Sequence, residues 1–160
     1  INKYNMNIVT SFENYNNNNI LLTEPIKNTV INNSEFIRIY YSNSEITLNG
    51  VYLFIDLSGI TLEPYYNKFK CNFPLSQNNK IITKIEEIEK DILSKHINNN
   101  NKKPEFSIYN QIKNGYIKIF TSCPNKYKQN NNIQLILKIS GLWENETQYG
   151  ATFKFIPIME

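Results

Sequence analysis

The chain is poor in the residues that build catalytic centres. Its 160 residues include one histidine (His96), one tryptophan (Trp143), two cysteines and five glycines. No Ser/His/Asp or Cys/His constellation can be assembled without His96. That residue continues the apolar stripe of a helical pattern, the setting of a packed ring. Gly50, Gly59, Gly115, Gly141 and Gly150 form neither GxGxxG nor a P-loop. Cys71 and Cys123 have no CxxC or Cys/His spacing for zinc, so reduced thiols are expected. Glu86, Glu87, Glu89 and Asp91 lie beside lysines, as on a solvated helix face, and Glu144 and Glu146 fall in a polar loop. No apolar run approaches the ~18 residues of a membrane span, and no signal-peptide pattern opens at Ile1. The expectation is a non-enzymatic, intracellular protein with no cofactor, metal or membrane.

Arginine is also scarce, since Arg38 is the sole one, and the basic charge is carried by lysine. The net charge of +3 is mild but uneven. Residues 104–142 hold Lys113, Lys118, Lys126, Lys128 and Lys138 against Glu105 alone. A basic sector in a near-neutral domain suits a polyanion, although a solvated lysine face reads the same way.

What is present is alternation. Residues 1–19 read as an irregular polar arm, and residues 20–160 as one domain. Two short strands are expected around Pro25, then strands in "EFIRIYYS", "TLNGVYLFIDLSG" and "YYNKFKCNFP". The period then changes. Ile81, Ile85, Ile88, Ile92 and His96 recur at helical steps, which predicts one amphipathic helix over about residues 79–97. Further strands are expected at about 105–111, 116–122, 133–142 and 149–158, with Asn114-Gly115 as a tight turn between the first two. This order predicts a mainly β domain with one helix, an OB-fold-like small barrel, against a competing α+β sandwich.

Two strands share a face pattern. In "FIRIY", Phe36, Arg38 and Tyr40 point one way and Ile37 and Ile39 the other. In "YIKIF", Tyr116, Lys118 and Phe120 oppose Ile117 and Ile119. With the isoleucines in the core, each strand presents aromatic, cation and aromatic outward. Aromatic rings stack on unpaired bases and the cation between them reaches phosphate, a pairing suited to single strands. Ordinary sheet packing also favours Tyr and Phe in strands. Lys138 and Lys154 face outward on neighbouring strands, and Lys126 and Lys128 extend the basic track. Trp143 either stacks on a base or plugs one end of the barrel.

The stretches "KKPEFSIYNQIKNGYIKIF" and "LKISGLWENETQYGATFKFI" carry a resemblance over roughly residues 80–157. They are similar to proteins of large nucleocytoplasmic DNA viruses grouped with the OB-fold single-stranded DNA-binding proteins of short-tailed bacteriophages. The matching positions are Lys138, Gly141, Trp143, Tyr149, Gly150, Phe153, Lys154 and Phe155. The resemblance implies an OB-fold, binding of single-stranded DNA during viral replication in the host cytoplasm or replication site, and self-association. It carries over no base-contact assignment. The phage-type proteins end in a long acidic tail with a terminal aromatic that recruits replication partners. This sequence ends in "FIPIME", a departure that bears on recruitment more than on DNA binding.

The expected function is sequence-independent single-stranded DNA binding through Arg38, Tyr40, Tyr116, Lys118, Phe120, Lys126, Lys128, Lys138, Trp143 and Lys154. The alternatives are a structural or virion interaction protein and an accessory subunit of a replication enzyme. Homo-oligomers and replication proteins are the further partners expected.

Overall fold

A computed structural model describes residues 9–97, 101–122, 124–125, 127 and 131–158. Its organising element is the 13-residue strand β10 (Asn132–Glu144), in which Leu135, Leu137 and Ile139 enter the core. One edge of β10 pairs along its length with β11 (Gln148–Pro157). The other edge is shared. Residues 132–139 pair with β5 (Val51–Ser58), and residues 141–144 pair with β3 (Glu35–Ser42). The changeover falls at a register shift between Ile139 and Gly141. A bulge bends its strand and strengthens the local twist. Gly141 is needed there because a Cβ would collide with the Ile37 carbonyl and the Phe36 ring.

Beyond β11 the sheet continues through β9 (Tyr116–Ile119), β7 (Lys68–Asn72) and β6 (Thr61–Tyr65). Beyond β3 it continues to β1 (Ile20–Leu22), while β2 (Ile26–Lys27) and β4 (Thr47–Leu48) also pair with β3. A short β8 (Lys103–Glu105) lies parallel to β11. The fold is mainly β with one main helix, as the patterning predicts. The sheet is an open, branched path and not a closed ring. Among the described residues its end strands β1 and β6 each pair with one neighbour. The edge of β10 passes from β5 to β3, so the sheet forks at the bulge.

The main helix α1 (Leu75–Ser94) covers the core face. Pro74 starts it without a side-chain cap. Asn78 ties its first turn to β5, accepting from the Ser58 N–H at 2.9 Å and donating to the Ser58 and Pro74 carbonyls. The buried stripe is Ile82, Ile85, Ile88, Glu89, Ile92 and Leu93. Ile82 thus replaces the expected Ile81, which is only half-buried. Glu89, expected on the solvated side, is fully buried.

Glu89 also explains a second correction. Residues 105–111, expected as a strand, contain the helix α2 (Ser107–Ile112). No local side chain caps it. The Glu89 carboxylate does so from α1, accepting the N–H groups of Ile108 at 3.0 Å and Tyr109 at 2.8 Å. A helix start satisfied from another element leaves no capping signal in its own sequence. Asn114-Gly115 consequently closes α2 ahead of β9 and does not join two strands, with Gly115 at φ 73°.

Of the polar arm, residues 1–8 lie outside the described residues. Thr10 pairs with the outer edge of β5, its N–H reaching the Tyr52 carbonyl at 2.8 Å. Phe12 and Tyr15 pack against the core. Among the described residues no helix is long and apolar enough to cross a membrane.

Candidate nucleic-acid interface

Side chains alternate between the two faces of a strand, and directly paired residues share a face. These two rules assemble a site on the sheet face opposite the core. On β7 and β9, Lys70 pairs with Lys118. The parallel pairing of Ile119 with Phe155 sets Lys118 beside Lys154 on β11. Lys154 pairs with Lys138 on β10, and Lys138 pairs with Tyr52 on β5. Four lysines therefore stand side by side across four adjacent strands. At a strand spacing of about 4.8 Å the row is roughly 14 Å wide.

Their neighbours on the core side confirm the sidedness. Cys71, Ile117, Phe155, Leu137, Ile139 and Leu53 flank the row in sequence and all are buried. Lys154 is exposed, and Lys70, Lys118 and Lys138 are half-buried.

Three of the four ammonium groups rest on tyrosine rings. Lys70 Nζ lies 4.7 Å from the Tyr116 centroid, Lys118 Nζ 4.6 Å from Tyr65, and Lys138 Nζ 5.1 Å from Tyr52. A ring quadrupole holds a cation without neutralising it. Among the described residues none of the four lysines forms an ion pair; the salt bridges join Lys84 to Glu87, Lys90 to Glu86, and Glu144 to His96 and Lys102. Like charges directly opposed on a sheet are destabilising. The row is thus a concentration of positive charge without an ion pair, flanked at its β6 end by Glu63, which pairs with Lys70.

The adjoining positions are apolar or aromatic. Phe54, opposite Ile136, is 37% exposed, and Phe120, which follows the last residue of β9, is 70% exposed. Past the bulge, Trp143 lies over Gly150, where a Cβ would come within 3.0 Å of the indole. Trp143 is half-exposed on the outward side and is no part of the core cluster, so it does not plug the fold. Arg38 sits 5.8 Å above the Phe36 ring and donates to Asn49 Oδ1 at 2.8 Å. Tyr40 pairs with Leu21 at the β1 edge, away from the lysine row.

The structure therefore brings Tyr116, Lys118, Lys138 and Lys154 together and sets Phe120 beside them. Arg38 and Trp143 continue the same face beyond the bulge, and Tyr40 stands apart. Lys126, Lys128 and Cys123 lie outside the described residues. Sequence reasoning missed Lys70, Tyr52 and Tyr65. Lys70 alternates with the core residue Cys71 in "KFKCN" as clearly as Lys118 does with Ile117, and that alternation was the available signal.

The sole histidine is packed, as its place in the helical stripe suggested. His96 Nε2 lies 3.0 Å from Glu144 Oε2, and the ring centroid lies 4.6 Å from that of Tyr149. Lys102 Nζ reaches the same oxygen at 3.1 Å. Glu144 is not in a loop, as expected, but buried at the end of β10. Burial pushes its pKa up; the Lys102 hydrogen bond and the charges of His96 and Lys102 outweigh this and hold it below the usual value. The cluster borders a cleft of about 400 Å³ with Glu24, Glu35 and Lys95. Among the described residues no group of three or more His, Cys, Asp and Glu side chains is arranged to hold a metal ion. The Cys71 thiol is buried and its pKa pushed up to about 12.

No protein-family model, curated protein or solved structure matches this chain.

Proposed function

We propose that this protein binds single-stranded DNA without sequence specificity, through the outward sheet face, in the service of DNA replication. The observation that carries this reading is the row Lys70, Lys118, Lys154, Lys138, aligned across four strands with no ion pair among the described residues, Glu63 standing opposite Lys70 at its β6 end. Phosphates neutralise the row, and Tyr52, Tyr116, Phe54 and Phe120 offer rings to the bases. A flexible single strand can follow a twisted sheet and turn its bases toward it. Duplex reading would instead call for a basic helix in the major groove. The lysines Lys84 and Lys90 of α1 are already paired with Glu87 and Glu86.

The test is fluorescence anisotropy of a labelled ~30-mer oligothymidylate over a salt series, with duplex competitor. Four phosphate contacts give a log–log salt slope of about −3 for a single strand. Binding that prefers single strands and fails in Lys118→Glu supports the reading. No binding at low salt overturns it.

A second reading, a structural or accessory protein that docks on a partner or on its own copy, is favoured by a different surface. Leu21, Ile26, Val30 and Ile31 are exposed around β1 and β2, with Val30 at 88%. Sedimentation across protein concentrations separates it from the first: self-association without oligonucleotide affinity supports it.

A further inference from the structure

We propose that the tip of the β6–β7 hairpin is a base-stacking subsite with Tyr66 as its stacking ring, a deepening that rests on the sheet face being a single-strand interface. The hairpin pairs Tyr65 with Lys68, leaving Tyr66 and Asn67 as a two-residue loop. Such loops favour positive φ at their first residue, where glycine, asparagine or aspartate is the least strained choice. Here that residue is a tyrosine at φ 52°. A bulky side chain in the left-handed region is an outlier that local turn chemistry disfavours. Burial does not account for it, because Tyr66 is 94% exposed. The residue thus costs the fold strain and returns no core contact. Strain of this kind clusters at ligand-binding and other functional sites.

The surroundings fit an unpaired base. The Tyr65 and Tyr66 rings meet in a T-shaped contact, with centroids 5.0 Å apart at 88°, and the Tyr66 ring remains open to solvent. Lys118 Nζ lies 4.6 Å over Tyr65, so the tip is joined directly to the lysine row. Phe120, 70% exposed, follows the strand that carries Lys118. A strand of nucleic acid crossing the row reaches this tip at its β6 end, with phosphates on the lysines and a base against Tyr66. Every base has a π-face, so the contact adds affinity without sequence preference.

The experiment compares the wild-type protein with Tyr66→Gly and Tyr66→Phe on oligothymidylate and on inorganic polyphosphate, a polyanion without bases. Tyr66→Gly relieves the backbone and removes the ring. The expected result is an unchanged or higher melting temperature with an approximately tenfold weaker affinity for oligothymidylate. The salt slope and polyphosphate binding should stay as in wild type, and Tyr66→Phe should retain wild-type affinity. Oligothymidylate affinity of Tyr66→Gly within twofold of wild type overturns the subsite and leaves the lysine face standing. An equal loss on polyphosphate also overturns it, since the ring then acts on something other than bases. Wild-type protein that binds neither probe overturns the interface and the subsite together.

Discussion

The two faces of the sheet treat charge in opposite ways. On the core side the buried charged and amide groups of α1 and β10 are answered. Glu89 accepts two backbone N–H groups, Asn78 bridges β5 and the start of α1, and Glu144 holds both His96 and Lys102. Burial enforces this, because an unpaired polar group away from water costs about 1–3 kcal/mol. On the outward side four lysines are set shoulder to shoulder with rings, one another and, opposite Lys70, Glu63 for neighbours, and none of them forms an ion pair among the described residues. Water removes the penalty for leaving them unpaired, and folding gains nothing from lining them up. Charges on the first face serve stability, and charges on the second are free to serve a ligand.

This contrast can be broken in several places. The largest effect on stability is expected from Glu89→Ala, which strands the Ile108 and Tyr109 N–H groups at the start of α2; chemical denaturation should report a loss of roughly 2–3 kcal/mol. Lys118→Glu should show the reverse profile, with unfolding nearly unchanged and oligothymidylate affinity at low salt falling at least about tenfold. If Lys118→Glu unfolds the protein as Glu89→Ala does, the two faces are not functionally distinct.

The two buried glutamates also differ in pH response. The folded pKa of Glu89 is raised by burial, against the opposing hydrogen bonds from Tyr109 and Ile108. The unfolded state therefore releases this proton first, and stability falls as pH rises from the unfolded value through the raised folded value. Glu144, held low when folded, contributes stability above the unfolded value that is lost as pH falls through its folded value. Thermal melts across pH should show Glu89→Gln flattening the higher window and Glu144→Gln the lower one. The smallest effect is expected for Lys154→Gln. It removes one charge that faces two like-charged neighbours, Lys118 and Lys138, and should raise stability by roughly 0.2–0.5 kcal/mol in denaturant melts.

The local half of this arrangement was legible in the sequence. In "FIRIY" and "YIKIF", isoleucine alternation assigns Arg38 and Lys118 to the outward face, and Ile37, Ile39, Ile117 and Ile119 are buried as that requires. The long-range half was not. Nothing near Lys118 reveals that its neighbours are Lys70 and Lys154, since register across strands depends on pairings between distant segments. Residues 105–111 misled for a similar reason, because Glu89, the cap of α2, belongs to a different helix. The barrel expectation rested on the order of short strands around one helix, which does not fix their pairing; the sheet is open, and the bulge before Gly141 divides the edge of β10 between two partners. Lys70 is signalled only by its alternation with Cys71, in a stretch otherwise dominated by aromatic residues.

The most direct test of the lysine row is the salt slope of oligothymidylate binding for wild type, Lys118→Gln and Lys154→Gln. Each phosphate contact on a single strand contributes about 0.7 to the slope. The account predicts that wild type lies near −3 and that each variant is shallower by about 0.7. A slope that stays the same when these lysines are neutralised would contradict it.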